Sequence, residues 1–160
     1  MRGIMSLYNR FVAAASSRTA EAIALLFARI GLALIFWRAA RTKIEDGTLL
    51  TMSDTTVLLF REEYGMPLPH VTGLIATYAE HFLPILLILG LFTRIGALGL
   101  LIMTAVIQFW VYPEFLIGLT DINSKFLGTH IVWAALAGII LVRGPGPISA
   151  DQLLARSRVP

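Results

Sequence analysis

Residues 71–112 read VTGLIATYAEHFLPILLILGLFTRIGALGLLIMTAVIQFWVY, and their only formally charged side chains are Glu80 and Arg94. A bilayer core about 30 Å thick takes roughly 20 mostly apolar helical residues. The stretch therefore holds two spans, about 71–91 and about 95–112. The sequence Leu89-Gly90-Leu91-Phe92-Thr93-Arg94 makes a tight turn between them. Working outward, a further apolar run lies upstream at about 22–40 and another downstream at about 126–142. The expectation is an all-α membrane protein, a four-transmembrane-helix bundle with short interfacial helices.

Composition agrees. The chain has 160 residues, of which 57% are hydrophobic and 14% charged, with a mean hydropathy of +0.77. A soluble domain of this size carries about 25% charged residues. The length suits one domain. The absence of cysteine excludes disulfides, thiolate metal sites and dithiol redox chemistry within the chain. The net charge of +3 does not indicate nucleic-acid binding, because the basic residues sit at the ends of apolar runs.

The remaining segments complete the organisation. Residues 1–20 form an N-terminal amphipathic segment, with Leu7, Tyr8, Phe11 and Val12 opposed by Arg2, Arg10 and Arg18, suited to a membrane surface. Residues 21–143 form the transmembrane domain and 144–160 a C-terminal tail. The first apolar run is too long for a signal h-region and is followed by further spans, so no cleaved leader is expected. The outer loop, 43–70, contains Ser53-Asp54-Thr55-Thr56, a helix start, and ends at Gly65 before Pro67 and Pro69. It serves either as a cap over a site or as a connector resting on lipid. Arg143-Gly144-Pro145-Gly146-Pro147 stops the last span, and Ser149 with Gln152 has capping-box spacing for a short helix at 150–156. Arg2, Arg10, Arg18, Arg94, Arg143, Arg156 and Arg158 fall on one side and Arg41, Lys43, Arg61 and Lys125 on the other, which places both termini in the cytoplasm. Gly31, Gly96, Gly99, Gly128, Ala134 and Gly138 are candidate points of close helix approach.

Polar groups inside a span cost about 2.5–3.5 kcal/mol each and mark function or register. Arg29 and Glu80 both count to the middle of their spans, so an ion pair between them is geometrically possible, serving proton transfer or helix register. Pro84 frees the Glu80 carbonyl four residues back and marks a polar kink with His81. Gln108 and His130 fall in the outer halves of their spans. With Arg38, Trp110 and Trp133 they are candidates to line an outward cavity, although Trp and Tyr at span ends also serve as interfacial anchors. Aromatic walls with a histidine and a carboxylate suit a quinone ring. In that reading Glu80 carries a proton, Arg29 pairs with it, and His130 or His81 donates a hydrogen bond to the ring. The three histidines and the acids give no metal-ligand spacing, and no covalent cofactor is expected.

Three parts of the chain resemble the DoxX family. Ala28-Arg29-Ile30-Gly31 through Phe36, followed by Lys43, is similar to its first span. Ala79-Glu80 with Leu89-Gly90-Leu91-Phe92-Thr93-Arg94 resembles its second span and turn. His130-Ile131-Val132-Trp133-Ala134, Arg143-Gly144-Pro145-Gly146 and Ser149-Ala150-Asp151 resemble its last span and tail. The resemblance implies a small bacterial inner-membrane protein, an oxidoreductase component acting with quinone or with a soluble redox partner. Glu114 to Lys125 is longer than the family pattern. A non-catalytic anchor or assembly subunit, in complex with a partner protein or its own copies, is the alternative expectation; a small transporter or lipid-binding protein is a third.

Overall fold

The computed structural model describes residues 2–113 and 129–157. Among them every regular element is a helix: α1 (Arg2–Ala15), α2 (Arg18–Arg41), α3 (Asp54–Leu58), α4 (Pro69–Leu89), α5 (Thr93–Val106), α6 (Ile131–Arg143) and α7 (Ala150–Arg156). Two π-helical turns, Leu59–Glu63 and Ile107–Val111, prolong α3 and α5. Three helices are long and apolar enough to cross a membrane: α2, α4, and α5 with its extension. α6 is a shorter apolar helix. The expected start of the fourth span at Phe126, Gly128, the segment from Glu114 to Lys125, and Arg158 all lie outside the described residues.

Local chemistry sets the boundaries. Ser17 caps α2 by accepting from the Ala20 amide, Ser53 caps α3 through Thr56, and Ser149 caps α7 through Gln152. Gly90 closes α4 in the left-handed conformation at φ 67°, which glycine adopts without a Cβ penalty. α4 stays helical through Pro84.

α2 packs on α4, α4 on α5, α5 on α6 and α6 back on α2, closing a ring of four helices. Its centre holds Leu32, Ala33, Phe36, Leu87, Ala97, Leu100, Ala137 and Ile140. The outer faces are also apolar: Phe82, Ile88, Ile95, Leu98 and Ile139 are exposed, while Thr77, Glu80, His81, Thr104, Gln108 and His130 are buried. Such a distribution, with polar groups inside and apolar groups outside, belongs to a bundle solvated by lipid. The buried threonines bond their own helix: Thr77 donates to the Gly73 carbonyl and Thr104 to that of Leu100, both at 2.8 Å.

Close approach concentrates between α4 and α5. A Cβ on Gly99 would meet Leu83 at 2.7 Å and one on Gly96 would meet Leu86 at 3.4 Å. Gly31 and Gly138, expected to share this role, face open space, with nothing within 4 Å of a Cβ. α1 leaves Ile4, Leu7 and Phe11 exposed on one side, as a surface-lying amphipathic helix requires.

Candidate functional site

A cavity of about 690 Å³ opens inside one end of the ring. α2 gives it Ile35, Phe36 and Ala39, and α4 gives Ile75, Ala76, Ala79 and Glu80. α5 and its π-helical turn contribute Ile102, Met103, Val106 and Ile107, and Tyr112, His130 and Trp133 form the far wall. The loop between α2 and α4 covers it with Phe60, Tyr64 and Met66, so that loop is a cap. The Tyr64 carbonyl accepts from Trp110 Nε1 at 3.2 Å, tying the cap to the end of α5. Burial, and after it Tyr112, Glu63 and Glu80, hold the Tyr64 phenol above its ordinary range, so it is a neutral hydroxyl at neutral pH. π-helical turns recur at functional sites because the extra residue re-aims side chains. Here one supplies Phe60 and the other Ile107 and Val111 to the cavity.

One wall is ionic. Lys43 Nζ donates to Glu80 Oε2 at 2.6 Å, with both side chains largely buried. The loop positions the lysine. Its carbonyl accepts from the Ser53 amide at 3.0 Å and the Thr56 hydroxyl at 2.9 Å, and Ile44 pairs with Met52 in an isolated bridge. Nζ also donates to the Ala39 carbonyl at 3.2 Å. The Arg29–Glu80 pair that the residue count allowed does not form: Lys43 is the partner of Glu80.

His130 is buried, and its Nδ1 lies 2.7 Å from Gln108 Oε1. Gln108 Nε2 donates to the Tyr112 carbonyl at 2.8 Å. The His130 ring sits 5.0 Å from that of Trp133, which in turn meets Phe36 edge-on at 5.5 Å. Of the residues expected to converge, Glu80, His130 and Trp133 line the cavity and Gln108 stands directly behind His130. His81 does not line it; its Nδ1 faces the Thr77 carbonyl at 2.7 Å and its ring packs on Trp37 at 5.3 Å. Arg38 is exposed, and Trp110 lies outside the lining as an anchor of the cap. Among the described residues, no three His, Asp or Glu side chains gather into a metal-binding group.

Arg29 works at the opposite end. Its Nη1 donates to the Pro145 carbonyl at 2.8 Å and Nη2 to the Ile148 carbonyl at 2.6 Å, with 1% of the residue exposed. The tail is also fastened through Asp151, whose amide donates to the Gly90 carbonyl at 2.8 Å. The Asp151 carboxylate accepts from the Phe92 and Thr93 amides at 2.8 and 3.0 Å. Phe92 is left-handed at φ 46° and makes no side-chain cap, so the tail caps α5 in its place. The two motifs that carry the family resemblance, the turn at 89–94 and the tail at 143–151, are thus each other's binding partners.

Burial alone would raise the Asp151 carboxyl, but the hydrogen bonds from Thr93 and Phe92, with the Arg29 charge, hold it below its ordinary value of 3.8. A lowered carboxyl contributes stability above the unfolded-state value and loses it as pH falls through the folded one. Wild type is therefore expected to exceed Asp151→Asn in stability at neutral pH by less than about 1 kcal/mol, because solvent screens a half-exposed group. The difference should begin to shrink as the pH falls towards about 4 and vanish once the pH lies below the folded-state value. Unfolding titrations of both proteins across pH check this; a gap that widens on acidification would contradict it.

Sequence reading passed over Lys43 as a partner of Glu80, and over the cap residues Phe60, Tyr64 and Met66. The available signal for Lys43 was its place one helical turn beyond Ala39, where a long stem folds back along its own helix. The cap side chains gave no signal beyond the apolar face of a short helix.

Against known proteins, the DoxX family model matches residues 24–113. No curated protein and no solved structure matches the chain.

Proposed function

The chain belongs to the DoxX family of membrane proteins, and from that premise we propose that it is a four-span inner-membrane protein that binds a quinone-type ring in the capped cavity, as one component of a membrane redox system. α6 belongs to the fourth span, both termini are cytoplasmic, and the cap faces outward. The observation that carries the reading is the cavity itself. Its volume of about 690 Å³ falls in the range of ligand sites, about 300–1,000 Å³, and such sites pair apolar walls with a few placed polar groups. Here those groups are the Lys43–Glu80 pair and His130, with Tyr64 on the cap.

The residues fit such a ring. Phe36, Trp133 and Phe60 give flat apolar surface, and the lipid-facing helices admit an apolar tail. A bound quinone supplies two-electron, two-proton chemistry. Glu80 holds a proton site at the wall, Lys43 fixes its carboxylate, and the cap keeps bulk water away. The chain has no cysteine for dithiol chemistry, and in this reading a partner protein gives or takes the electrons.

Quinone per chain, measured by chromatography with mass detection on protein purified gently in native lipid, tests this. Near-stoichiometric quinone is expected in wild type. It should fall at least about tenfold in Ala76→Phe, which places a bulky ring in the cavity. Quinone at the level of the surrounding lipid in wild type would leave the reading without support.

A further inference from the structure

We propose that the cavity opens sideways into the bilayer between α4 and α5, and that its ligand is a membrane-dissolved ring whose hydrocarbon tail lies in that opening; this deepens, and rests on, the ring-binding reading above. α4 and α5 are closed against each other near the turn that joins them. A Cβ on Gly99 would meet Leu83 at 2.7 Å, and one on Gly96 would meet Leu86 at 3.4 Å. The helices run antiparallel from that turn, so this contact sets which residues stand level further along. One turn on, Ala79 comes level with Met103; the next turn brings Ile75 and Ala76 level with Val106 and Ile107. All six line the cavity. The seam that glycine closes at one end is thus continuous with the cavity at the other.

Three lining side chains are exposed as well: Ile75 at 63%, Ile102 at 55% and Val106 at 46%. A side chain that both lines a cavity and meets the surroundings stands at its mouth. Ile75 comes from α4, whereas Ile102 and Val106 lie one turn apart on the same face of α5. The mouth therefore has α4 on one side and α5 on the other. Ala76 and Ala79, with their single methyl groups, leave width between the two helices.

The chemistry of this rim selects the occupant. Ile75, Ile102 and Val106 carry no polar side-chain atom, and the exposed Phe82 and Leu98 continue the apolar surface along α4 and α5. A polar solute crossing such a rim sheds its water with nothing to replace it, whereas a hydrocarbon chain crosses from lipid without that cost. The cap stands over a different wall, where Phe60 is buried and Tyr64 is tied to Trp110. Two polar lining residues, Thr42 and Thr129, are exposed too, and they mark the entrance a water-soluble ligand would use. Thr42 spends its hydroxyl on the Ala39 carbonyl at 2.8 Å. With the ring against Phe36 and Trp133, the tail runs out between α4 and α5.

The test is photolabelling of the full chain in nanodiscs of phosphatidylethanolamine and phosphatidylglycerol. The probe is a benzoquinone bearing a decyl chain with a diazirine at its midpoint. Only label displaced by excess decyl-benzoquinone without the diazirine is counted, and peptide mass spectrometry locates it. Displaceable label is expected on residues 72–79 and 102–106, at least about tenfold above that on the cap and around Thr42. Ile75→Trp combined with Ile102→Trp overfills the rim and should lower displaceable label by about tenfold, whereas Phe82→Trp, outside the lining, should label as wild type does. Displaceable wild-type label confined to the cap or the Thr42 region overturns the lateral opening while leaving the ring-binding cavity in place, and that measurement needs no variant to fold. A double variant that labels as wild type does overturns it too. No displaceable label on wild type removes the ring-binding reading and this proposal with it.

Discussion

Replacing Arg29 by methionine is expected to destabilise the protein by about 3 kcal/mol, because two part-buried carbonyls each lose a donor worth about 1–3 kcal/mol. The guanidinium is the only charged group reaching the Pro145 and Ile148 carbonyls among the described contacts, and methionine fills its volume while donating nothing. Gly90→Ala should do at least as much damage. Its φ of 67° disfavours any Cβ, and the added atom would stand 2.3 Å from Arg29 Nη1 and 2.9 Å from the Ser149 Cα. The first neighbour is a flexible side-chain tip, but the second is backbone, so the tail itself must move. Moving it breaks the bond from the Asp151 amide to Gly90 and the in-trans cap on α5 together. Gly138→Ala is the internal comparison: its Cβ meets nothing within 4 Å, so a change within about 0.5 kcal/mol is expected. Denaturant titration in bicelles measures all three. A Gly90→Ala protein as stable as Gly138→Ala would show that the tail does not dock on the turn.

This clasp also explains why the helices were legible in the sequence and their relative heights were not. Apolar length and terminal signals carried the elements: Ser53, Gly65, Gly90 and Ser149 each end or begin a helix where their chemistry indicates. Height in the bundle is set by long-range contacts that counting along a span does not capture. Arg29 counted to mid-membrane because its span was measured from Ala22, yet α2 starts at Arg18 and its early turns extend past the level where the tail folds in. Glu80 counted to mid-membrane from Val71, yet the first turns of α4 pack on the cap, as Gly73 does against Met52, Thr56 and Phe60. Arg29 and Lys43 are consequently about 20 Å apart along the α2 direction at 1.5 Å per residue, and Glu80 belongs to the level of Lys43. The polar residues of the site were visible as costly exceptions within apolar helices. Which of them meet depended on the register that Gly90, the tail and the cap impose.

That register predicts the second large effect. Lys43→Met removes the cation from a carboxylate on a residue that is 3% exposed, and stranding a buried charge costs about 3–5 kcal/mol. Glu80→Gln should cost less, about 1–2 kcal/mol, because the freed lysine lies near the end of α2 and its flexible stem can carry the ammonium to water. The double variant then buries no unpaired charge. Its loss should be smaller than the sum of the two single losses by about 2 kcal/mol, the coupling of residues in direct contact. Strict additivity would mean that the pair does not form in the membrane. The cycle also separates structure from function at this wall. If the double variant recovers stability but holds quinone no better than Glu80→Gln, the carboxylate itself is needed by the bound ring. If stability and quinone recover together, the ion pair serves the cavity only by keeping its wall in place, and the burden of ring recognition moves to His130 and the cap.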